Sequence, residues 1–380
     1  MTHQYIDRRT QQVCNERLYG DLLVRALYSS AVECPNLLTS AASSKWTSNM
    51  LSMLSYNTLM GGKWTGLVEF LHQSGVDLAE CVDAPESLNT PQKVFERQIR
   101  FWDHRPMPDD RASAVCPTDA RAIVGSLREA SALFIKEKFF DFEELLSVDR
   151  LRWLEAFANG DFALFCLTPE KYHYVHVPAS GQVVDFYEID GRYHSCNPQA
   201  TVSLITPYSK NRRVVTILQT DVPGGSHIGL VAIIEAVALM VGRVEQCYSD
   251  DKYDCPRAIL PGMFLKLGQP KSLFRPGSST VILLFQRDRV EFAEDLISNR
   301  FRHDVSSRFS LGFNQTIVET DVMVRSLLAA AKQPKGPAHG ELRFVGSMLA
   351  SKVRDSSWRS SVPGAVATGS VHFADEFASE

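Results

Sequence analysis

No two of the eight cysteines stand in a Cys-x-x-Cys arrangement. They fall at Cys14, Cys34, Cys81, Cys116, Cys166, Cys196, Cys247 and Cys255. That scatter gives neither a paired redox motif nor a disulfide framework, so reduced thiols in a cytoplasmic compartment are expected. The opening Met-Thr-His-Gln-Tyr-Ile-Asp-Arg-Arg lacks the apolar core of a secretory signal. Long apolar runs are missing too. The richest stretch, Ile228 to Val241, is short for a bilayer span and is interrupted by Glu235, and it reads as two buried strands. Membrane contact is therefore expected to be peripheral. Charge of one sign is not in excess: the net charge is −4 over 380 residues, which removes the electrostatic case for nucleic acid. Internal repeats are absent.

What is present is a globular composition, 44% hydrophobic, in a chain long enough for a sizeable core. Residues 1–108 read as mainly helical, with apolar residues at helical spacing in Leu18, Leu22, Leu23 and Leu27 and again in Leu67, Phe70 and Leu71. The first of these helices fits either packing on the body of the protein or an amphipathic contact with a membrane surface. The turn-rich His104-Arg105-Pro106-Met107-Pro108-Asp109-Asp110 marks a boundary. Residues 109–331 then change to short runs rich in Val, Ile, Leu and Phe, such as Phe162 to Leu167, Arg213 to Leu218 and Thr280 to Phe285. One helical insert is expected around Phe142 to Phe157. Residues 332–380 are rich in Ser, Gly and Ala and read as a disordered tail. The fold class expected is α+β, a helical N-terminal region followed by a β-rich catalytic domain.

Three segments bear chemistry: Val115-Cys116-Pro117-Thr118-Asp119-Ala120, then Lys171-Tyr172-His173-Tyr174-Val175-His176-Val177-Pro178-Ala179-Ser180-Gly181, then Pro276-Gly277-Ser278-Ser279-Thr280 running into Val281 to Phe285. Singly each is weak. A loop aspartate is usually a cap, a histidine pair three apart is usually structural, and Gly-Ser-Ser-Thr is usually a turn entering a strand. Together they supply an orienting carboxylate, a base and a hydroxyl nucleophile, the parts of an acyl-transfer site. A metal site on His173, His176 and His194 lacks a convincing ligand pattern, so no metal is expected.

The set resembles the phosphatidylserine decarboxylases, a pyruvoyl-dependent family with a Pro-x-Asp-Gly segment, an Asp-Tyr-His-Arg-x-His-x-Pro-x-x-Gly segment and a late Gly-Ser-Thr before an apolar strand. Further similar stretches are Tyr5-Ile6-Asp7-Arg8-Arg9, Phe95-x-Arg97-x-x-Arg100 followed by Arg105-Pro106, Phe140 to Leu146, Met240 to Val244 and Glu319-Thr320-Asp321-Val322, so the resemblance covers about residues 5 to 330. It implies that Ser279 becomes a covalent pyruvoyl group after cleavage between Ser278 and Ser279. It further implies that His176 is the base for that cut, Asp119 its orienting carboxylate, and His173 a group near the substrate. The ketone so formed would take up a substrate amine and act as electron sink for loss of carbon dioxide, with no diffusible cofactor. The two cleavage products would stay together as a heterodimer, with room for a further homo-oligomer.

The sequence departs from the family at four places. Ser278 replaces the usual Gly, which reaches backbone geometries serine resists. Lys171 replaces an Asp, Tyr174 an Arg and Ala120 a Gly. These changes leave two substrates open: phosphatidylserine, met at a membrane, or a soluble amino acid such as an aromatic one. An uncleaved binding homologue is the third alternative.

Overall fold

Alternation of apolar residues on adjacent strands builds one large sheet with two different faces. The structure, a computed structural model, describes residues 2–18, 21, 44, 73–128, 139–204, 206–238, 243–277 and 279–332. Ser278, the helical stretches expected around Leu22 to Leu27 and Leu67 to Leu71, Met240-Val241-Gly242 and the tail beyond Lys332 lie outside the described residues.

The strands are β1 (Gln4–Asp7), β2 (Val13–Asn15), β3 (Ser113–Val115), β4 (Ala120–Ser126), β5 (Asp161–Leu167) and β6 (Tyr174–His176). Next come β7 (Gly181–Ile189), β8 (Arg213–Gln219), β9 (Leu230–Val237), β10 (Val244–Gln246) and β11 (Phe264–Leu265). The last are β12 (Pro270–Phe274), β13 (Ser279–Phe285), β14 (Val290–Phe292), β15 (Thr320–Val322) and β16 (Leu327–Ala331). Ten form a sheet in the order β11-β7-β8-β9-β13-β5-β4-β15-β1-β2, and two three-stranded sheets run β10-β12-β6 and β14-β16-β3.

The middle strands are buried on both faces, which is why β5 and β13 read as continuous apolar runs. On one face Phe165, Leu167, Val281 and Leu283 pack against Val175, Phe274 and Leu328 of the small sheets. On the other, Leu164, Ile282 and Leu284 pack against Leu145, Trp153, Phe157 and Phe309 of the helices. The result is three layers: small sheets, large sheet, helices.

Three details differ from the sequence reading. The stretch around Glu235 is one strand rather than two, because Lys271 Nζ meets the Glu235 carboxylate at 2.7 Å and makes the charge tolerable inside β9. The insert at Phe142 to Phe157 is two helices, Phe142–Leu146 and Leu151–Phe157. The first starts under an Asp141 cap on the Glu144 N–H and stops at Ser147, whose φ of 79° leaves the right-handed region. The opening residues, read as part of a helical region, give strands instead. Ile6 pairs with Thr320 in parallel register, a partnership no local pattern announces.

Candidate active site

The registers around β13 fix where Ser279 points. Ser279 stands opposite Leu167 of β5 on one side and Val237 of β9 on the other. One residue along, Thr280 stands opposite Cys166, which in turn faces Arg121 of β4. Residues paired across antiparallel strands share a face, and successive residues alternate. Leu167, Val237 and Val281 lie in the core shared with the small sheets, so Ser279 points there. Thr280 points to the helical side, where its Oγ1 lies 3.0 Å from Cys196 Sγ.

Ser279 is fully buried, and its Oγ has no hydrogen-bond partner among the described residues. A buried hydroxyl left without a partner costs free energy, so the position is set up for something other than stability. Gly277, two residues before, has φ of +141°, a conformation side chains resist and one that turns the chain from β12 into β13.

β6 carries His176, and His173 immediately precedes it. Val175 and Val177 face the large sheet, while Tyr172 and Tyr174 face away with Leu273. The His173 carbonyl accepts the Phe274 N–H at 3.1 Å, which places His173 on the inward side with Phe274. His176 alternates with its valine neighbours and sits on the outward side. The pair therefore occupies opposite faces.

Their surroundings differ too. The His173 Nδ1–H donates to the Lys171 carbonyl at 2.7 Å, the ring stacks on Phe95 with centroids 3.5 Å apart, and Nε2 has no partner among the described residues. The His176 Nδ1–H donates to the Gly268 carbonyl and its Nε2 accepts the Tyr172 hydroxyl, both at 2.9 Å. Burial holds His173 well below the ordinary imidazole range, with help from the Arg97 guanidinium, and burial lowers His176 to about 3. Both rings are neutral bases at physiological pH.

Asp119 is buried at the start of β4, beside the histidine segment, since Pro117 O accepts the His176 N–H at 2.7 Å. Its carboxylate receives Arg105 Nη2 at 2.9 Å and Nε at 3.2 Å, and the Val324 N–H at 2.7 Å. Among the described residues it makes no hydrogen bond to His176. The expected orienting contact is thus taken by the Gly268 carbonyl, a main-chain group that residue types in a sequence cannot reveal. Lys171, the departure at the head of the histidine motif, pairs with Asp321 at 2.7 Å.

A second polar cluster escaped the sequence reading. His3 Nε2 lies 2.7 Å from Glu319 and 3.4 Å from Glu16. His3 Nδ1 accepts the Arg308 N–H at 3.1 Å, so a neutral ring carries its proton on Nε2, facing the two carboxylates. Burial, then Glu319, push the Glu16 carboxyl up to about 7 despite Arg121. Glu16, Arg121, Cys166, Cys196 and Glu319 line a cleft of about 60 Å³ on the Thr280 side of the sheet. The only signal in the sequence was the Glu319-Thr320-Asp321-Val322 stretch.

Among the described residues no helix is long and apolar enough to cross a membrane. A family profile for phosphatidylserine decarboxylase matches residues 92–309, a span that includes Asp119, both histidines and Ser279. The phosphatidylserine decarboxylase proenzyme 2 of Oryza sativa subsp. japonica is 31% identical over 310 residues, 78% of this chain and 45% of the rice protein, so the chain spans less than half of that relative. The phosphatidylserine decarboxylase proenzyme of Clostridium tetani is 25% identical over 295 residues, 77% of this chain and 91% of that protein. The proenzyme of the same name from Photobacterium profundum is 31% identical over 251 residues, 62% of this chain and 83% of that protein.

Proposed function

The chain belongs to the phosphatidylserine decarboxylase family, and on that premise we propose that it cuts itself before Ser279, turns that residue into a pyruvoyl group and decarboxylates phosphatidylserine to phosphatidylethanolamine. The observation that carries this reading is the buried, unpartnered Ser279 hydroxyl at the first residue of β13.

The position fits a pyruvoyl group. Leu167 and Val237 flank the fully buried Ser279 in the sheet, so a carbonyl formed there has an apolar setting. Once formed, that group supplies a ketone that takes up a substrate amine and accepts the electrons left when carbon dioxide departs.

For the cut, the Ser279 Oγ attacks the Ser278 carbonyl carbon and its proton passes to a neutral imidazole. The peptide C–N bond breaks to give an ester and a free amine on residue 279. Elimination across Cα and Cβ of residue 279 releases the carboxylate of Ser278, and water then replaces nitrogen as ammonia. His176 is assigned as the base from the family motif; from the outward side it takes the proton at Nε2 only once the Tyr172 hydroxyl leaves it and the ring swings toward Ser279. Asp119 orients it through the Pro117–Asp119 segment that carries the His176 main chain. His173 serves the decarboxylation step as proton donor. A second reading gives the cleavage proton to His173, because its Nε2 is bare and it shares the Ser279 face.

After the cut β13 still lies hydrogen-bonded between β5 and β9, so the two products remain a heterodimer. Residues 109–331 form the catalytic unit, reaching lipid from the cytoplasmic side of a membrane without spanning it.

The test is a denaturing gel with intact mass, then carbon dioxide release from phosphatidylserine micelles and from a panel of free amino acids. Two chains, the shorter starting with a pyruvoyl mass, and release from the micelles are expected. Activity on a free amino acid alone would replace the lipid by a soluble substrate, and a single full-length chain that still decarboxylates would end the mechanism.

A further inference from the structure

Between the large sheet and the β10-β12-β6 sheet lies a charged group that the cleavage chemistry does not use. Lys271 and Glu235 are both fully buried and 2.7 Å apart. Burying two charges costs desolvation that their attraction often fails to offset, so such a pair is weak as a stability device. Its place is informative. Glu235 faces Val281, two residues beyond Ser279 on the same face of β13, which makes it the diagonal neighbour of Ser279. Such neighbours are about 7–8 Å apart between Cα atoms, within reach of long side chains.

The hydrogen-bond count shows what is left over. Glu235 Oε1 accepts the Ser272 hydroxyl, and Oε2 accepts Lys271 and, at 3.1 Å, the Gln246 amide. The carboxylate is satisfied. Lys271 donates to Glu235 and to Gln246 Oε1 at 2.8 Å. An ammonium has three hydrogens and a Gln amide two, so Lys271 and Gln246 each keep one donor hydrogen among the described residues, and the one on Lys271 is the charged donor. It suits an anionic oxygen.

An approach exists. A cleft of about 460 Å³ is walled by Val237, Val244, Gln246 and Ile259. Val237 is the residue opposite Ser279, and Gln246 is bonded to Lys271 and Glu235. The wall of the cleft thus reaches the strand neighbour of Ser279 and the Gln246 end of the charged network, while Ser279, Lys271 and Glu235 lie fully buried behind it.

We propose that this cleft receives the polar head of the substrate and that Lys271, held by Glu235 and Gln246, binds its α-carboxylate. The proposal rests on the decarboxylase reading above. The carboxylate is chosen over the lipid phosphate because it sits on the same carbon as the amine that must reach residue 279, whereas the phosphate oxygens are two bonds farther from that amine.

The closing experiment uses the full chain and reads cleavage and turnover separately. Lys271→Met with Glu235→Leu removes the pair together, which avoids stranding one buried charge. This variant is expected to be cut, to show a KM for phosphatidylserine micelles raised at least about tenfold, the scale of one charge-assisted hydrogen bond, and to keep its inhibition by phosphatidylethanolamine, which lacks the carboxylate. A cut double variant with unchanged KM overturns the role of Lys271. Equal loss of affinity for both lipids also overturns it, since the network would then be reading the phosphate. Should the double variant not fold, Val244→Trp, which fills the cleft from a half-buried position, decides: a raised KM in a cut chain supports the cleft, and an unchanged one rules it out. A wild-type chain that is cut yet idle on phosphatidylserine defeats the lipid reading itself, and this inference with it.

Discussion

Ser279 and Thr280 are adjacent, both buried and both hydroxylated, yet they look into different chemistry. Ser279 faces the layer between sheets, where its Oγ is bare, a neutral imidazole shares the face, and the Lys271–Glu235 pair lies one diagonal step away across β9. Thr280 faces the helical side, where its hydroxyl is bound to Cys196 and the surroundings hold Glu16, Glu319, His3 and Arg121. One side keeps the Ser279 hydroxyl unpartnered beside an imidazole that burial holds neutral. The other keeps the Thr280 hydroxyl occupied on the side of a carboxyl that burial pushes up to about 7. The difference shows that strand alternation, not residue type, decides what surrounds each hydroxyl.

The largest effect should come from exchanging the two hydroxyls. Ser279→Ala is expected to leave a folded, full-length chain without decarboxylase activity, whereas Thr280→Val should still be cut at a rate near wild type. Gel densitometry after purification reads both, and an uncut Thr280→Val would erase the contrast between the faces.

Next in size are the histidines and their support. His176→Ala should be folded and uncut, and His173→Ala should be cut but slow to release carbon dioxide. The reverse pattern would hand the cleavage proton to the inward histidine. Asp119→Ala removes one of the two carboxylates that hold the buried Arg105 and leaves it to Glu80, so a stability loss of roughly 1–3 kcal/mol is expected, together with slower cutting. Thermal melting alongside the gel separates the two effects.

A smaller, pH-dependent effect distinguishes the faces. With the His173 and His176 imidazoles both held neutral by burial, the cleavage rate should be flat between about pH 5 and pH 8. Glu16 behaves otherwise. Its folded value of about 7 lies above its ordinary 4.5, so the folded state holds the proton more tightly than the unfolded one. Its stabilising contribution is full below the ordinary value and is lost as pH rises toward the folded value. Denaturant titrations from pH 4 to pH 8 should show this decline in the wild type, and Glu16→Gln should flatten it. A decline that persists in Glu16→Gln would move the titration to another group.

The smallest effect is expected at the end of the chain. A chain stopping at Gln333 retains all of β16 and should cut and turn over as the full chain does. Failure to cleave would give the last residues a role in the fold.

Legibility followed the range of the interactions. The apolar runs of β5, β8 and β13 were readable because strands buried on both faces require them, and Asp119, His173, His176 and Ser279 stood out because acyl transfer needs those side chains. The strands at Gln4–Asp7 and Val13–Asn15 were not readable, since the first pairs with a segment some three hundred residues away. The unbroken β9 was missed because Glu235 looks like a strand breaker until Lys271, on another strand, stands over it.

By itself, then, the sequence determined the family, the α+β class, the residue types of the site and the serine at the head of an apolar strand, because these depend on local pattern and on what the chemistry demands. Only the tertiary structure decided that Ser279 faces the small sheets, that the two histidines occupy opposite faces, that a main-chain carbonyl rather than Asp119 accepts the His176 Nδ1–H hydrogen bond, and that a buried Lys271–Glu235 pair lies diagonally across from Ser279. Those outcomes are set by strand register and by hydrogen bonds between segments far apart in the chain, and neither is encoded in the identity of a residue or its neighbours.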